Sequence, residues 1–398
     1  MRKTILIISL VQLLFSCSTI KYKKQGFVSN QDYIKEIQFK YHNGFVLLPV
    51  TIQGKEYNFL LDTGAELNLI DPTIVADLNL KKLKNGTISN GDDSEGNIGR
   101  VEIAAIDIGG IKFQETVAMI WDISKFSKYI SCDKVDGFIG NNLMRKSNWQ
   151  IDYQRKVIRI TDSSKRFDIS DNHKKIKLNS GAVGNVYLNL KIGEKHKNFT
   201  LDTGFNGFLQ TGDTTLLQNA PSILKIGLTG ANFSGAKQGA TFYKKLETFK
   251  ISKYTFKSPS YFLVKPGNSS IMGNEFFENY LVTIDWDNDY LILDQNDEID
   301  DLQLPNLYEI GFFPDFEKGI VTVANIYENS RLKGEIKSKT QILKINNLDL
   351  VQLAQQDKLC EFWSTGWEAL ITNDILKIVI DEDGKHRTIE VQKIKDAW

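Results

Sequence analysis

Cysteine, histidine and proline are scarce in this chain of 398 residues, at 3, 4 and 7. Outside the N-terminal leader only Cys132 and Cys360 remain, in regions that read as separate, so no disulfide framework is expected and both read as small buried hydrophobes. His42, His173, His196 and His386 have no partners at metal-ligand spacing, and the chain lacks Cys-x-x-Cys, His-Glu-x-x-His and Gly-x-Ser-x-Gly. Zinc-hydrolase and serine-hydrolase chemistry lose their usual signatures, and no metal or cofactor is expected. Excess charge of one sign is also missing, with Lys plus Arg equal to Asp plus Glu at 49 each. Nucleic acid and other polyanions are therefore disfavoured as partners. With so little proline, no proline-rich hinge marks a boundary. The acidic, polar stretch from Asp294 to Gln303 reads instead as a short exposed linker.

A long apolar run is missing as well. The stretch Ile5 to Phe15, preceded by Arg2 and Lys3, is too short to span a bilayer and reads as an export signal over residues 1–16. Leu14-Phe15-Ser16-Cys17 then resembles the lipobox of bacterial lipoproteins. That resemblance implies acylation of Cys17, a tether over 17–36, membrane attachment through the lipid and a place in the cell envelope, either at the outer membrane facing the periplasm or at the cell surface. Lys21 to Lys24 would keep such a tether soluble and near an anionic membrane.

What is present is an internal repeat. FVLLPVTIQGKEYNFLLDTGAELNLI in the first half is matched by VYLNLKIGEKHKNFTLDTGFNGFLQT in the second. Each is an alternating hairpin with Gly54 or Gly193 at its turn, running into Asp-Thr-Gly. Further on, Gly140 of VDGFIGNNL and Gly273 of SSIMGNEFF are in register, since Asp152 and Asp285 each lie 12 residues beyond them. The interval from Asp to this glycine is 78 residues in one half and 71 in the other, a difference one surface loop absorbs. Asp152 and Asp285 open a closing hairpin in each half, which suits a structural role.

Asp62-Thr63-Gly64-Ala65, Asp202-Thr203-Gly204-Phe205 and the segments ending in Gly140 and Gly273 resemble the retropepsin-like aspartic proteases over residues 40 to 296. The resemblance implies a mainly β fold of two homologous barrel lobes in one chain, at 37–165 and 170–296, with no dimer needed to complete the site. It also implies Asp62 and Asp202 as the catalytic pair, supported by Thr63, Gly64, Ala65, Thr203, Gly204, Gly140 and Gly273. Two carboxylates within hydrogen-bonding distance cannot both ionise, so they share a proton and titrate together. One then activates a water while the other protonates the scissile carbonyl. Ala65 is the retropepsin choice, whereas pepsins place Ser or Thr there and Phe205 departs from both. Without hydroxyl donors the pair is expected to titrate higher than in pepsin. Glycine-rich segments with Gly91 and Gly96 in one half, and Gly230 and Gly235 in the other, stand where flaps belong or are ordinary surface hairpins.

The region 304–396 changes character, and SKTQILKINNLDL resembles a bacterial PDZ domain. This implies a small α+β unit with Gly311, Phe312 and Phe313 as candidate carboxylate loop. The whole is expected to be an aspartic endopeptidase acting on peptides or proteins in extended conformation, with the PDZ-like region capturing substrate or partner. The alternative is a non-catalytic peptide-binding lipoprotein on a degenerate protease fold. Two like charges retained face to face argue for the enzyme.

Overall fold

A computed structural model describes residues 21–89, 95–124, 127, 133–180, 184–217, 222–232, 235–258, 260–295, 307–370 and 372–394. The architecture is mainly β. In the first half the hairpin of Phe45–Ile52 and Lys55–Leu61 turns at Gln53 and Gly54, both at positive φ. A two-residue type I′ turn requires this geometry. Val46, Leu48, Val50 and Ile52 alternate into the interior, all at most 1% exposed.

Six strands then close on themselves. Going round, they are Ile111–Ile120, Asn68–Ile70, Gly137–Ile139, Lys55–Leu61, Phe45–Ile52 and Glu95–Ile108, which pairs back to Ile111–Ile120. The outer face of this barrel is buried as well, by a second cluster that includes Leu47, Leu60, Leu69 and Phe138. That double burial is why FVLLPV reads as a continuous apolar run rather than an alternation.

The second half repeats the barrel with its long strands broken. Val186–Ile192 and Lys195–Leu201 form the hairpin, and Ile271–Met272 lies parallel to the latter. The pairings Leu60↔Phe138↔Leu69 recur as Thr200↔Ile271↔Gln210. Where the first half has Ile111–Ile120, the second has Tyr254–Lys257 and Phe262–Val264.

Between the barrels lies a six-stranded antiparallel sheet that neither half could complete alone. Its centre is Asn148–Asp152 against Tyr280–Asp285, flanked by Val157–Thr161 and Tyr290–Gln295 and edged by Ile34–Gln38 and Lys174–Lys177. Trp149, Ile151, Val282 and Ile284 join the one core that runs through both barrels. Asp152 and Asp285 accept the amide hydrogens of Arg155 and Asn288, closing the hairpin turns as a structural role demands.

The expected tether over 17–36 is built into the fold where it is described. Phe27–Val28 pairs with the strand at Gln114, Ile34–Gln38 edges the central sheet, and Lys23 forms an ion pair with Glu66. Residues 1–16 and Cys17 lie outside the described residues. So does most of the expected linker, although Asp294 and Gln295 still belong to a strand.

The C-terminal region has a core of its own, with Val321, Val323, Ile342, Leu376 and Ile378 buried together. Its strands Ile310–Asp315, Ile320–Tyr327, Gln341–Ile345, Ile375–Glu382 and Lys385–Gln392 surround the helix Leu350–Gln355, capped by Asp349. The candidate carboxylate loop is not a loop. Gly311, Phe312 and Phe313 lie in Ile310–Asp315, paired with Ile320–Tyr327 across a register shift after Gly311, because these apolar residues have strand partners to satisfy their backbone. Phe312 stacks edge-on against Trp367 at 5.1 Å. Cys360 corrects the cysteine expectation: it is disulfide-bonded, with its partner outside the described residues. Spacing could not reveal that pairing, since chain distance says nothing about proximity after folding.

Candidate active site

Each Asp-Thr-Gly triplet leaves the end of a barrel strand and turns back under the apolar-apolar-Gly strand. The amide of Asp62 donates to the Ile139 carbonyl at 3.0 Å, and that of Asp202 to the Met272 carbonyl at 2.9 Å. The two turns meet between the barrels. Thr63 Oγ1 donates to the Leu201 carbonyl and Thr203 Oγ1 to the Leu61 carbonyl, both at 2.8 Å. In return, each threonine hydroxyl accepts the other's backbone N–H, at 3.0 and 2.9 Å. Four reciprocal bonds between buried groups fix the separation of the triplets.

The glycines are required by the same closeness. A Cβ on Gly64 would stand 2.6 Å from Asp202 Cγ, and one on Gly204 would stand 2.5 Å from Asp62 Cγ. Each glycine therefore lies against the opposite half's carboxyl group. Gly140 and Gly273 are equally confined, since a Cβ on the first would stand 2.6 Å from the Leu67 backbone and one on the second 2.3 Å from the Phe205 carbonyl oxygen. Every sequence-derived member of the pair and its support is thus brought to one place.

Two further residues belong there that the motif reading passed over. Asn141 Nδ2 donates to the Thr63 carbonyl and Asn274 Nδ2 to the Thr203 carbonyl, each at 2.7 Å. These asparagines anchor the triplets from behind. The signal was available, because both halves read Gly-Asn at this point of the repeat.

The carboxyl groups hydrogen-bond to each other, and both are held above the ordinary aspartate range. For Asp62 burial is the main cause, and the amides of Gly64 and Ala65 at 2.8 and 3.0 Å limit the rise to about 6. Asp202 is pushed well up by burial first, then by the charge of Asp62 and the bond to it, against a single opposing amide from Gly204 at 2.9 Å. The two turns also differ at their fourth residue. Ala65 N–H and Phe205 N–H each donate to the main-chain carbonyl of their own aspartate at 3.2 Å, and Ala65 N–H also reaches a carboxylate oxygen of Asp62 at 3.0 Å. The Phe205 ring itself packs where Gly207 and Gly273 leave room, since a Cβ on either would meet it within 2.6 Å. Near neutral pH the two raised carboxyls, hydrogen-bonded to each other, hold a proton between them.

The candidate flaps are the turns of two long hairpins, Lys81–Ser89 with Glu95–Ile108 and Ser222–Asn232 with Gly235–Lys244. Gly91 lies outside the described residues. Gly96 pairs with Ile88, Gly230 with Lys237 and Gly235 with Asn232. The second hairpin is not free along its length, because Lys225, Ile226 and Gly227 pair with Tyr327, Ile326 and Asn325 of the C-terminal region. Among the described residues no group of His, Cys, Asp and Glu is placed to hold a metal ion.

Residues 48–143 are similar to a protein family described as aspartyl protease. No curated protein matches the chain. The matched segment contains Asp62 and Gly140 and ends before Asp202, so the second carboxyl enters the site through the internal repeat and the geometry.

Proposed function

We propose that the chain is an aspartic endopeptidase, in which Asp62 and Asp202 activate a water for attack on a peptide carbonyl. The observation that carries this reading is a pair of buried carboxyls hydrogen-bonded to each other, with their spacing set from both halves by Thr63 and Thr203. Asp62, ionised, takes a proton from the water as its oxygen adds to the carbonyl carbon, and Asp202 gives its proton to the carbonyl oxygen. The resulting tetrahedral diol collapses as Asp62 passes its proton to the leaving nitrogen and Asp202 regains one from a hydroxyl. Carboxylic acid and amine leave, and the pair returns to its starting state. No residue forms a covalent bond with the substrate in this scheme.

The finer parts of the reading rest on resemblance. We assign peptide or protein capture to the PDZ-like C-terminal region, lipid attachment to Cys17, and the cell envelope as the working compartment. The substrate is a segment extended enough to lie as a strand between the barrels.

A peptide-library digest with the full-length chain tests the proposal, with Asp62→Asn as control. Cleavage is expected to fall by about 10²- to 10⁴-fold in the variant while peptide binding persists. The wild-type rate should decline as pH drops through about 6, where Asp62 takes up a proton. Cleavage products unchanged in Asp62→Asn, or an optimum near pH 2, would overturn the assignment. A wild-type chain that binds peptides without cutting them would favour the non-catalytic reading.

A further inference from the structure

Equal totals of acid and base conceal a segregated face where the second barrel meets the edge of the central sheet. Segments 171–198 and 247–257 carry nine lysines against three acidic residues. Folding brings several of them around a recess of ≈ 240 Å³ whose rim holds Lys177, Lys191, Lys250, His196, Asn179 and Asn189, with no carboxylate among its lining residues. The floor is apolar, formed by Ile176 and Ile251 at 2% and 1% exposure.

The register makes this more than a solvated lysine surface. Lys191 stands directly opposite Lys250 on one side and His196 on the other, so three basic side chains form one cross-strand row. Like charges directly opposite destabilise a sheet. The carboxylates near the row do little to offset it. Glu194 reaches Lys191 at 3.3 Å but is 94% exposed, Asp289 is 3.9 Å from Lys177, and Lys250 has no ion-pair partner among the described residues. His196 is oriented as well. Asn198 takes a hydrogen bond from Asn189 Nδ2 at 2.9 Å, turning Asn189 Oδ1 toward His196 Nδ1 at 3.0 Å and leaving Nε2 as the nitrogen available for a ligand.

We propose that this recess binds a phosphate group, carried by a lipid headgroup or free in solution. Lysines are point-charge donors suited to phosphate oxygens, the Asn179 amide adds a directional donor, and His196 Nε2 is placed to accept from a protonated phosphate oxygen. The volume lies below the roughly 300–1,000 Å³ typical of drug-sized pockets, which suits a headgroup-sized anion. The site is separate from the aspartate pair and does not depend on what that pair does.

The test uses the full-length chain carrying Cys17→Ser, so that no acyl chain contributes. Calorimetric titration with inorganic phosphate should show binding that weakens about tenfold or more in the double variant Lys191→Gln, Lys250→Gln. Lys253→Gln, which removes the same kind of charge from outside the recess, should change it less than twofold. Sedimentation with phosphatidylcholine vesicles, with and without phosphatidylglycerol, separates the sources. Capture by the anionic vesicles that is lost in the double variant assigns a lipid headgroup, and phosphate binding without capture assigns a free phosphate group. Thermal unfolding guards against a folding artefact, because relief of the opposed charges should leave the double variant's midpoint equal or raised. Phosphate binding that is absent in the wild type, or that Lys253→Gln weakens as much as the double variant does, would sink the proposal.

Discussion

Asp62 and Asp202 carry the same motif but not the same environment, and the difference lies in single hydrogen bonds. Both Ala65 N–H and Phe205 N–H bond the main-chain carbonyl of their own aspartate, but Ala65 N–H also adds a second donor to the Asp62 carboxylate. A carboxylate with more donors stays ionised more easily, which favours Asp62 as the proton acceptor in the proposed reaction. The same shifts bear on stability. With its folded value raised to about 6, Asp62 favours the folded state at low pH, and that contribution is lost as pH rises from the ordinary aspartate range through about 6. Asp62→Asn should therefore be more stable than wild type at pH 7, by on the order of 3 kcal/mol. The gap should close below about pH 4 in denaturant titrations. A gap independent of pH would mean that burial of this carboxyl is not what raises its value.

At the scale of elements, the two hairpins descend from one repeat but differ in attachment. Ser222–Asn232 is both an arm of the second candidate flap and a neighbour of Ile320–Tyr327. The contact needs Gly227, which has φ of 138° and would bring a Cβ within 2.6 Å of Asn325 Cα. Gly227→Val should separate the strands, costing about 1–3 kcal/mol from backbone strain. Hydrogen exchange would register this as faster exchange at 225–227 and 325–327 with the first barrel unaffected. Unchanged protection at these amides would show that the pairing does not depend on the glycine. The repeat made both hairpins legible in the sequence. Their unequal anchoring was not, because the partner strand lies about a hundred residues away and carries no complementary signal.

At the scale of the molecule, the central sheet turns two barrels into one body. Ile151 is fully buried, pairs with Ile158 of its own half and Val282 of the other, and belongs to the core that runs through both. Ile151→Ala should cost about 2–5 kcal/mol. Hydrogen exchange should show protection lost in both barrels together, with the separate C-terminal core spared. Loss confined to residues 34–165 would mean that the halves unfold independently.

The sequence by itself determined the duplication, the β character of both halves, the two triplets with their supporting glycines, and a C-terminal region of different kind. These are local properties, written in periodicity, turn residues and short motifs that recur at matched spacing. Only the tertiary structure decided which groups face one another. It joined the halves through a shared sheet, set Asn141 and Asn274 behind the triplets, made a strand of the expected Gly311 loop and bonded Cys360 to another cysteine. It also placed Lys191 between Lys250 and His196 in a chain whose charges sum to zero. Such contacts join residues tens to hundreds of positions apart, and they become visible when pairing register and burial, rather than composition, set the neighbours of each side chain.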